Sequence, residues 1–257
     1  MAARLRFGYV RVVTRDAAPA PSREWCLFLD VDGTLLEFAD TPLAVVVGED
    51  LKMLLRQVAL CLNGAVALVS GRDIGMLDEL FAPLKLPAAG LHGIERRPAS
   101  GDMRGANFLD ERLRSARDSL SAFVASRPGI LLEDKGRTLA VHYRLAPRAE
   151  PDVRRAVSAA ARPLRPDYHV QEGKMVLEIK PRAFTKATAI EEFMREPPFS
   201  GRMPVVVGDD RTDQDGFRAV EARGGISIAV GNQIRGQWRL ANPSAVRRWL
   251  ASIAALH

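Results

Sequence analysis

Hydrophobic residues fall along the chain in two patterns, short unbroken runs and stripes of helical spacing. Cys26 to Leu29, Ala65 to Val69 and Met203 to Val207 are continuous apolar runs of strand length. Such runs predict strands buried on both faces of a parallel sheet. Between the first two, Leu51, Leu54, Leu55, Val58 and Leu62 form a helical stripe over 50–62, which Asn63-Gly64 stops. Further helices are expected from about 73 and over 185–194, 214–222 and 243–256, with strands over 86–91 and 225–230. Three strands end in small polar residues: Asp30-Val31-Asp32-Gly33, Ser70-Gly71-Arg72 and Gly208-Asp209-Asp210. Alternating strand and helix predict an α/β, Rossmann-like core with a mostly parallel sheet. Its ligands would sit at the carboxyl rim of the strands.

The pattern changes over 94–182. A hairpin is expected over 94–103 and helices over 107–126 and 151–163. Strand pairs are expected at 130–134 with 138–145, and at 169–171 with 175–179. Helix, strand pair, helix, strand pair is α+β grammar with an antiparallel sheet. The chain therefore reads as an arm over 1–24, a core over 25–93 and 183–257, and an inserted α+β cap over 94–182. In the cap, Leu139, Val141, Tyr143 and Leu145 alternate with Thr138, Ala140, His142 and Arg144. Met175, Leu177 and Ile179 likewise oppose Lys174, Val176, Glu178 and Lys180. One face of this sheet should pack on cap helices, leaving the other to present polar groups.

Composition narrows the class. The chain has 257 residues, 47% hydrophobic and 26% charged, with a net charge of +6. That is ordinary globular composition. The basic residues are scattered without interleaved aromatics, so no nucleic-acid partner is expected despite the charge. No apolar run is long enough for a membrane span. The leading residues carry Arg4, Arg6, Arg11 and Arg15, which reads as an organelle-targeting peptide or, preferably, a frayed arm. Cys26 and Cys61 sit in apolar runs and are expected to be buried thiols in a reducing, cytoplasmic setting.

The rim residues carry the chemistry. Asp30, Asp32, Asp209, Asp210 and Asp213 would crowd negative charge into one pocket if their strands are neighbours. Two such charges about 4 Å apart repel by about 4 kcal/mol at an effective dielectric near 20. A divalent cation bridging them relieves this, and an all-oxygen carboxylate set favours Mg²⁺. One aspartate is then free to attack phosphorus. Ser70 offers a hydroxyl to a phosphate oxygen, and Lys186 a point charge.

Asp30-Val31-Asp32-Gly33-Thr34, Ser70, Lys186 and Asp209-Asp210 resemble the motifs of the haloacid dehalogenase (HAD) superfamily, mostly Mg²⁺-dependent phosphatases with a Rossmann-like fold. The resemblance implies Asp30 as nucleophile, Asp32 as general acid and then base, and Asp209 as metal ligand beside Asp30 and the Asp32 carbonyl. It implies Asp210 and Asp213 as auxiliary metal ligands, and Ser70 and Lys186 as phosphoryl holders. The cap elements Glu133-Asp134-Lys135, His142-Tyr143-Arg144 and Gly173-Lys174 with Glu178 are similar to those of the trehalose-6-phosphate phosphatases, which have a C2-type cap. Gly90-Leu91-His92-Gly93 and Gly208-Asp209-Asp210 with Thr212-Asp213 also resemble that family's signatures. By this resemblance Arg72, His92, Glu133, Lys135, His142, Arg144, Lys174 and Glu178 bind substrate. The match runs from about Trp25 to the C-terminal helix. It departs at Lys186-Ala187, where the family usually has Lys-Gly.

The implied activity is Mg²⁺-dependent hydrolysis of trehalose 6-phosphate through an aspartyl-phosphate, by a monomer functionally linked to a trehalose-6-phosphate synthase. Other sugar phosphates (sucrose phosphate or mannosyl-3-phosphoglycerate), a phospho-receiver and a silent sugar-phosphate sensor stand as alternatives.

Overall fold

A computed structural model describes residues 15–37, 46–105, 111–173 and 175–256. The large sheet is built from β1 (Trp25–Leu29), β2 (Val66–Val69), β3 (Ala88–Gly90), β4 (Glu95–Arg97) and β5 (Arg104–Gly105). Its helices in this half are α1 (Glu49–Cys61) and α2 (Ile74–Phe81). The inserted unit contains α3 (Glu111–Ala125), β6 (Leu131–Asp134), β7 (Leu139–His142), α4 (Glu150–Ala161), β8 (Tyr168–Gly173) and β9 (Val176–Pro181). The core then resumes with α5 (Lys186–Phe193), β10 (Met203–Gly208), α6 (Asp213–Glu221), β11 (Ile226–Val230), β12 (Trp238–Leu240) and α7 (Pro243–Ala254).

The large sheet has the order β12-β11-β10-β1-β2-β3-β4-β5. It is parallel from β12 to β3, and antiparallel where β4 and β5 extend its edge. β1 lies between β10 and β2, so the three acid- and serine-bearing strand ends are immediate neighbours at one rim. All five residues of β1 are buried, as an unbroken apolar run requires in a sheet covered on both faces. Phe28 stacks on Phe199, with ring centroids 5.4 Å apart, and Phe193 closes the group against both. No helix among the described residues is long and apolar enough to cross a membrane.

The small sheet is antiparallel, in the order β6-β7-β9-β8. Leu139, Val141, Leu177 and Ile179 on one face join Leu120, Val153 and Val157 of α3 and α4 in a separate apolar core.

Four expectations are corrected. The hairpin expected over 94–103 forms as β4 and β5 and belongs to the large sheet, because Ala88, Ala89 and Gly90 pair with Arg97, Arg96 and Glu95; only the segment beyond it builds the small sheet. The later part of the arm is docked: Arg15 bridges to Trp238, and the Trp249 indole donates to the Pro19 carbonyl at 3.1 Å. Residues 1–14 lie outside the described residues. Leu145 is 72% exposed, since the strand ends at His142 and the chain turns away. Cys61 is only partly buried, its thiol meeting the Ile253 carbonyl at the α7 surface, whereas Cys26 is fully enclosed.

Candidate active site

Asp30 leaves the end of β1 and Asp209 the end of β10, while Asp213 opens α6. One oxygen from each of these three buried carboxylates lies within 4.8 Å of the others. Asp213 is fixed by its own turn: its Oδ2 accepts the amides of Asp209 at 3.1 Å and Asp210 at 3.2 Å. Gly208 makes this possible, because a Cβ there would stand 2.2 Å from Asp213 Cγ. Gly33, at φ +83°, turns the chain after Asp32 in a conformation that favours glycine.

Lys186 opens α5, whose entry is set by a reciprocal Thr185–Thr188 capping box. Its ammonium donates to Asp30 Oδ1 at 2.7 Å and to Asp213 Oδ1 at 2.6 Å. One buried cation thus answers three buried carboxylates. Burial, then the charges of Asp30, Asp210 and Asp213, pushes Asp209 up to about 9. Burial lifts Asp213 to about 8 against the opposing pull of Lys186. Asp30 also moves upward through burial, again opposed by Lys186. Carboxyls held this high mark negative charge in excess of its compensation. Three converging carboxylate oxygens form a donor set that fits a hard divalent cation.

Of the rim carboxylates, those of Asp32 (expected to offer a metal its carbonyl) and Asp210 (expected as an auxiliary ligand) point elsewhere. Asp32 is clasped by Arg72, with Nε to Oδ2 and Nη2 to Oδ1 both at 2.7 Å. Asp210 Oδ1 accepts the Thr212 amide at 2.8 Å and its hydroxyl at 2.6 Å, closing a local turn. Neither carboxylate belongs to the acidic group. Spacing in sequence specified the backbone rim and left side-chain direction to such local partners. Ser70 is buried at the end of β2, and its hydroxyl accepts the Arg72 amide at 3.1 Å.

The small sheet turns its polar face to this rim. Glu178 Oε2 of β9 lies 3.3 Å from His92 Nε2 of the core. Lys135 donates to the Gly71 carbonyl at 3.1 Å and stands 3.8 Å from Glu133 and 3.9 Å from Glu178. His142 Nε2 is 2.8 Å from Glu133 Oε2. The structure therefore groups His92, Glu133, Lys135, His142 and Glu178. Arg144 lies half-buried in the turn after β7, and Lys174 is outside the described residues. His92 follows Leu91, and both have left-handed backbone, φ +57° and +50°, which aims the imidazole across the junction. Burial, reinforced by Lys180, lowers His92 to about 4.

Sequence reasoning omitted Lys180 from the site. The signal was available, since period-two alternation places Lys180 on the Glu178 face of β9. Beside the site, α2, the β4 hairpin, Asp134 and Lys135 line a cavity of about 790 Å³.

Solved structures share this architecture. A haloacid dehalogenase-like hydrolase from Bacteroides thetaiotaomicron matches over 88% of this chain and 98% of its own, with 13% identity and a TM-score of 0.60. The C-terminal domain of a C. albicans trehalose-6-phosphate phosphatase matches over 92% and 93%, with 19% identity and a TM-score of 0.80. Fold and acidic rim together define an α/β haloacid dehalogenase-type core carrying a cap. The sequence model of the trehalose-phosphatase family matches residues 28–248. A probable trehalose-phosphate phosphatase from Sinorhizobium fredii is 43% identical over 91% of this chain and 89% of its own length. The trehalose-6-phosphate phosphatase of Escherichia coli is 40% identical over 91% and 88%. The chain belongs to the trehalose-phosphatase family.

Proposed function

We propose that this protein hydrolyses trehalose 6-phosphate to trehalose and phosphate. The observation that carries the reading is the convergence of Asp30, Asp209, Asp213 and Lys186 at one rim, beneath a cap face of paired polar side chains. Asp30 attacks phosphorus with a carboxylate oxygen. The bond from phosphorus to the sugar oxygen breaks, leaving an aspartyl-phosphate. Asp32, oriented by Arg72, gives a proton to the departing sugar oxygen. It then takes a proton from the water that attacks the phosphorus of the acyl phosphate, releasing phosphate and restoring Asp30. Lys186 holds Asp30 in place and sets a positive charge beside the transferred group.

Asp30, Asp209 and Asp213 are the residues that would hold Mg²⁺. When bound, the ion neutralises charge developing on the phosphoryl oxygens. Glu133, Lys135, His142 and Glu178 supply donors and acceptors for a ligand rich in hydroxyls. A site of this kind rejects analogues lacking a hydroxyl, because its buried groups are left unpaired.

The test is phosphate release from a panel of sugar phosphates with Mg²⁺, with product analysis for trehalose. The highest kcat/KM is expected for trehalose 6-phosphate. A preference for sucrose phosphate, mannosyl-3-phosphoglycerate or another sugar ester would overturn the assignment of substrate.

A further inference from the structure

Strand β9 turns Glu178 and Lys180 toward the core, because Leu177 and Ile179 between them fill the apolar interior of the cap. The two charges fare differently. Glu178 meets His92 and Lys135. Lys180 is 2% exposed, yet among the described residues its ammonium makes no hydrogen bond and no ion pair. A buried charge without a hydrogen-bonded counter-ion is costly, and folds keep one where a ligand completes it.

Its surroundings indicate the kind of ligand. Glu178, Lys186, Asp215 and Asp210 are the charges that act on it, and Lys186 is the lysine that holds Asp30. Burial, opposed by Glu178 and aided by the like charge of Lys186, lowers the Lys180 ammonium to about 8. One lysine comes from the cap and the other from the core, and their like charges oppose each other across the junction that Glu178 and His92 bridge. A doubly charged anion between them relieves both that repulsion and the desolvation of Lys180. His92 Nδ1, whose ring feels both lysines, is also buried without a hydrogen-bond partner.

We propose that Lys180 is an anion-binding residue of the cap, contacting the phosphoryl dianion that Lys186 approaches from the core. The phosphoryl group is then held from both domains, and closure of the cap is linked to occupancy by phosphate as well as by sugar. This inference rests on reading the site as that of a phosphatase.

Inorganic phosphate is the probe, titrated calorimetrically into the Mg²⁺-loaded full chain, its Lys180→Met variant and its Lys180→Arg variant. Lys180→Met should weaken phosphate binding by roughly 10- to 100-fold, the range for a charged hydrogen bond. Lys180→Arg should retain affinity within severalfold. The thermal midpoint of Lys180→Met should stay level or rise, because a buried unpaired charge is removed. Unchanged phosphate affinity in a folded Lys180→Met protein would overturn the proposal. So would a lowered midpoint or failure to fold, which would make Lys180 a structural counter-ion for Asp210 and Asp215. The sugar assignment is judged separately: a wild-type chain that binds phosphate but does not cleave trehalose 6-phosphate loses that assignment alone.

Discussion

The core and cap halves of the site contain similar residue types and are electrostatically opposite. In the core, burial and mutual repulsion raise Asp209 and Asp213 to about 9 and 8, against the opposing charge of Lys186. In the cap, Glu178 is equally buried, but hydrogen bonding to His92 and the charges of His92, Lys135 and Lys180 outweigh burial and hold it well below the carboxylate range. Glu133 behaves likewise, burial being outweighed by the His142 hydrogen bond and Lys135. The core half is thus short of positive charge. In the cap half Glu133 and Glu178 already hold partners, which a ligand would exchange, while Lys180 has none among the described residues.

The largest expected effect breaks the core half. Asp30→Asn should reduce phosphate release by a factor on the order of 10⁶, as loss of a nucleophile does elsewhere. Asp32→Asn should cost roughly 10²- to 10⁴-fold, the range for a general acid–base group. A variant that keeps more than a tenth of wild-type turnover would refute its residue's assigned role.

Proton inventory sharpens the contrast next. Mg²⁺ added to the cation-free protein at pH 7 should displace protons from the Asp209–Asp213 group, read by calorimetry in buffers of different ionisation enthalpy. Asp209 stands above its ordinary 3.8 in the folded state, so that state binds the extra proton. The cation-free fold should therefore lose stability as pH rises from about 4 to about 9. Glu178 acts with the opposite sign. Its contribution is present above its ordinary 4.5 and is lost as pH falls below that value. Thermal midpoints across pH, with and without Mg²⁺, separate the two slopes, and identical profiles would contradict the core assignment.

Smaller effects belong to the cap. Glu178→Gln removes one charged hydrogen-bonding partner and should raise KM by roughly 10-fold, leaving the proton release on Mg²⁺ binding intact. Smaller still, Gly71→Ala would set a methyl 2.9 Å from His92 Nε2 and push the imidazole away from Glu178. A rise in KM of about two- to fivefold, the cost of weakening without removing one hydrogen bond to a carboxylate, is the expected outcome. An unchanged KM would separate the His92–Glu178 contact from substrate binding.

Legibility in the sequence follows the same division. Continuous apolar runs announced β1, β2 and β10 because a doubly covered sheet tolerates nothing else. β12, by contrast, is three residues at an edge, Trp238–Leu240, and has no such signature. The hairpin expected over 94–103 reads as part of the cap because local pattern says that strands pair, while the edge they join is a tertiary matter. The acidic rim was legible as a set of strand ends. Which carboxylates converge was not, since Arg72 and Thr212 redirect Asp32 and Asp210. Thr212, two residues after Asp210, carried a readable turn signal. Lys180 was visible in the alternation of β9, but its lack of a partner appears only once the cap lies on the core.

Four residues, 182–185, join the end of β9 at Pro181 to the start of α5 at Lys186. Their ends are tied, the Arg182 amide to the Asp167 carbonyl and Thr185 into the capping box. The strand that carries Glu178 and the helix whose Lys186 holds Asp30 are therefore two arms of one short connection. With four residues between them and both ends tied, the position of Glu178 on β9 and the grip of Lys186 on Asp30 are set by this one tether.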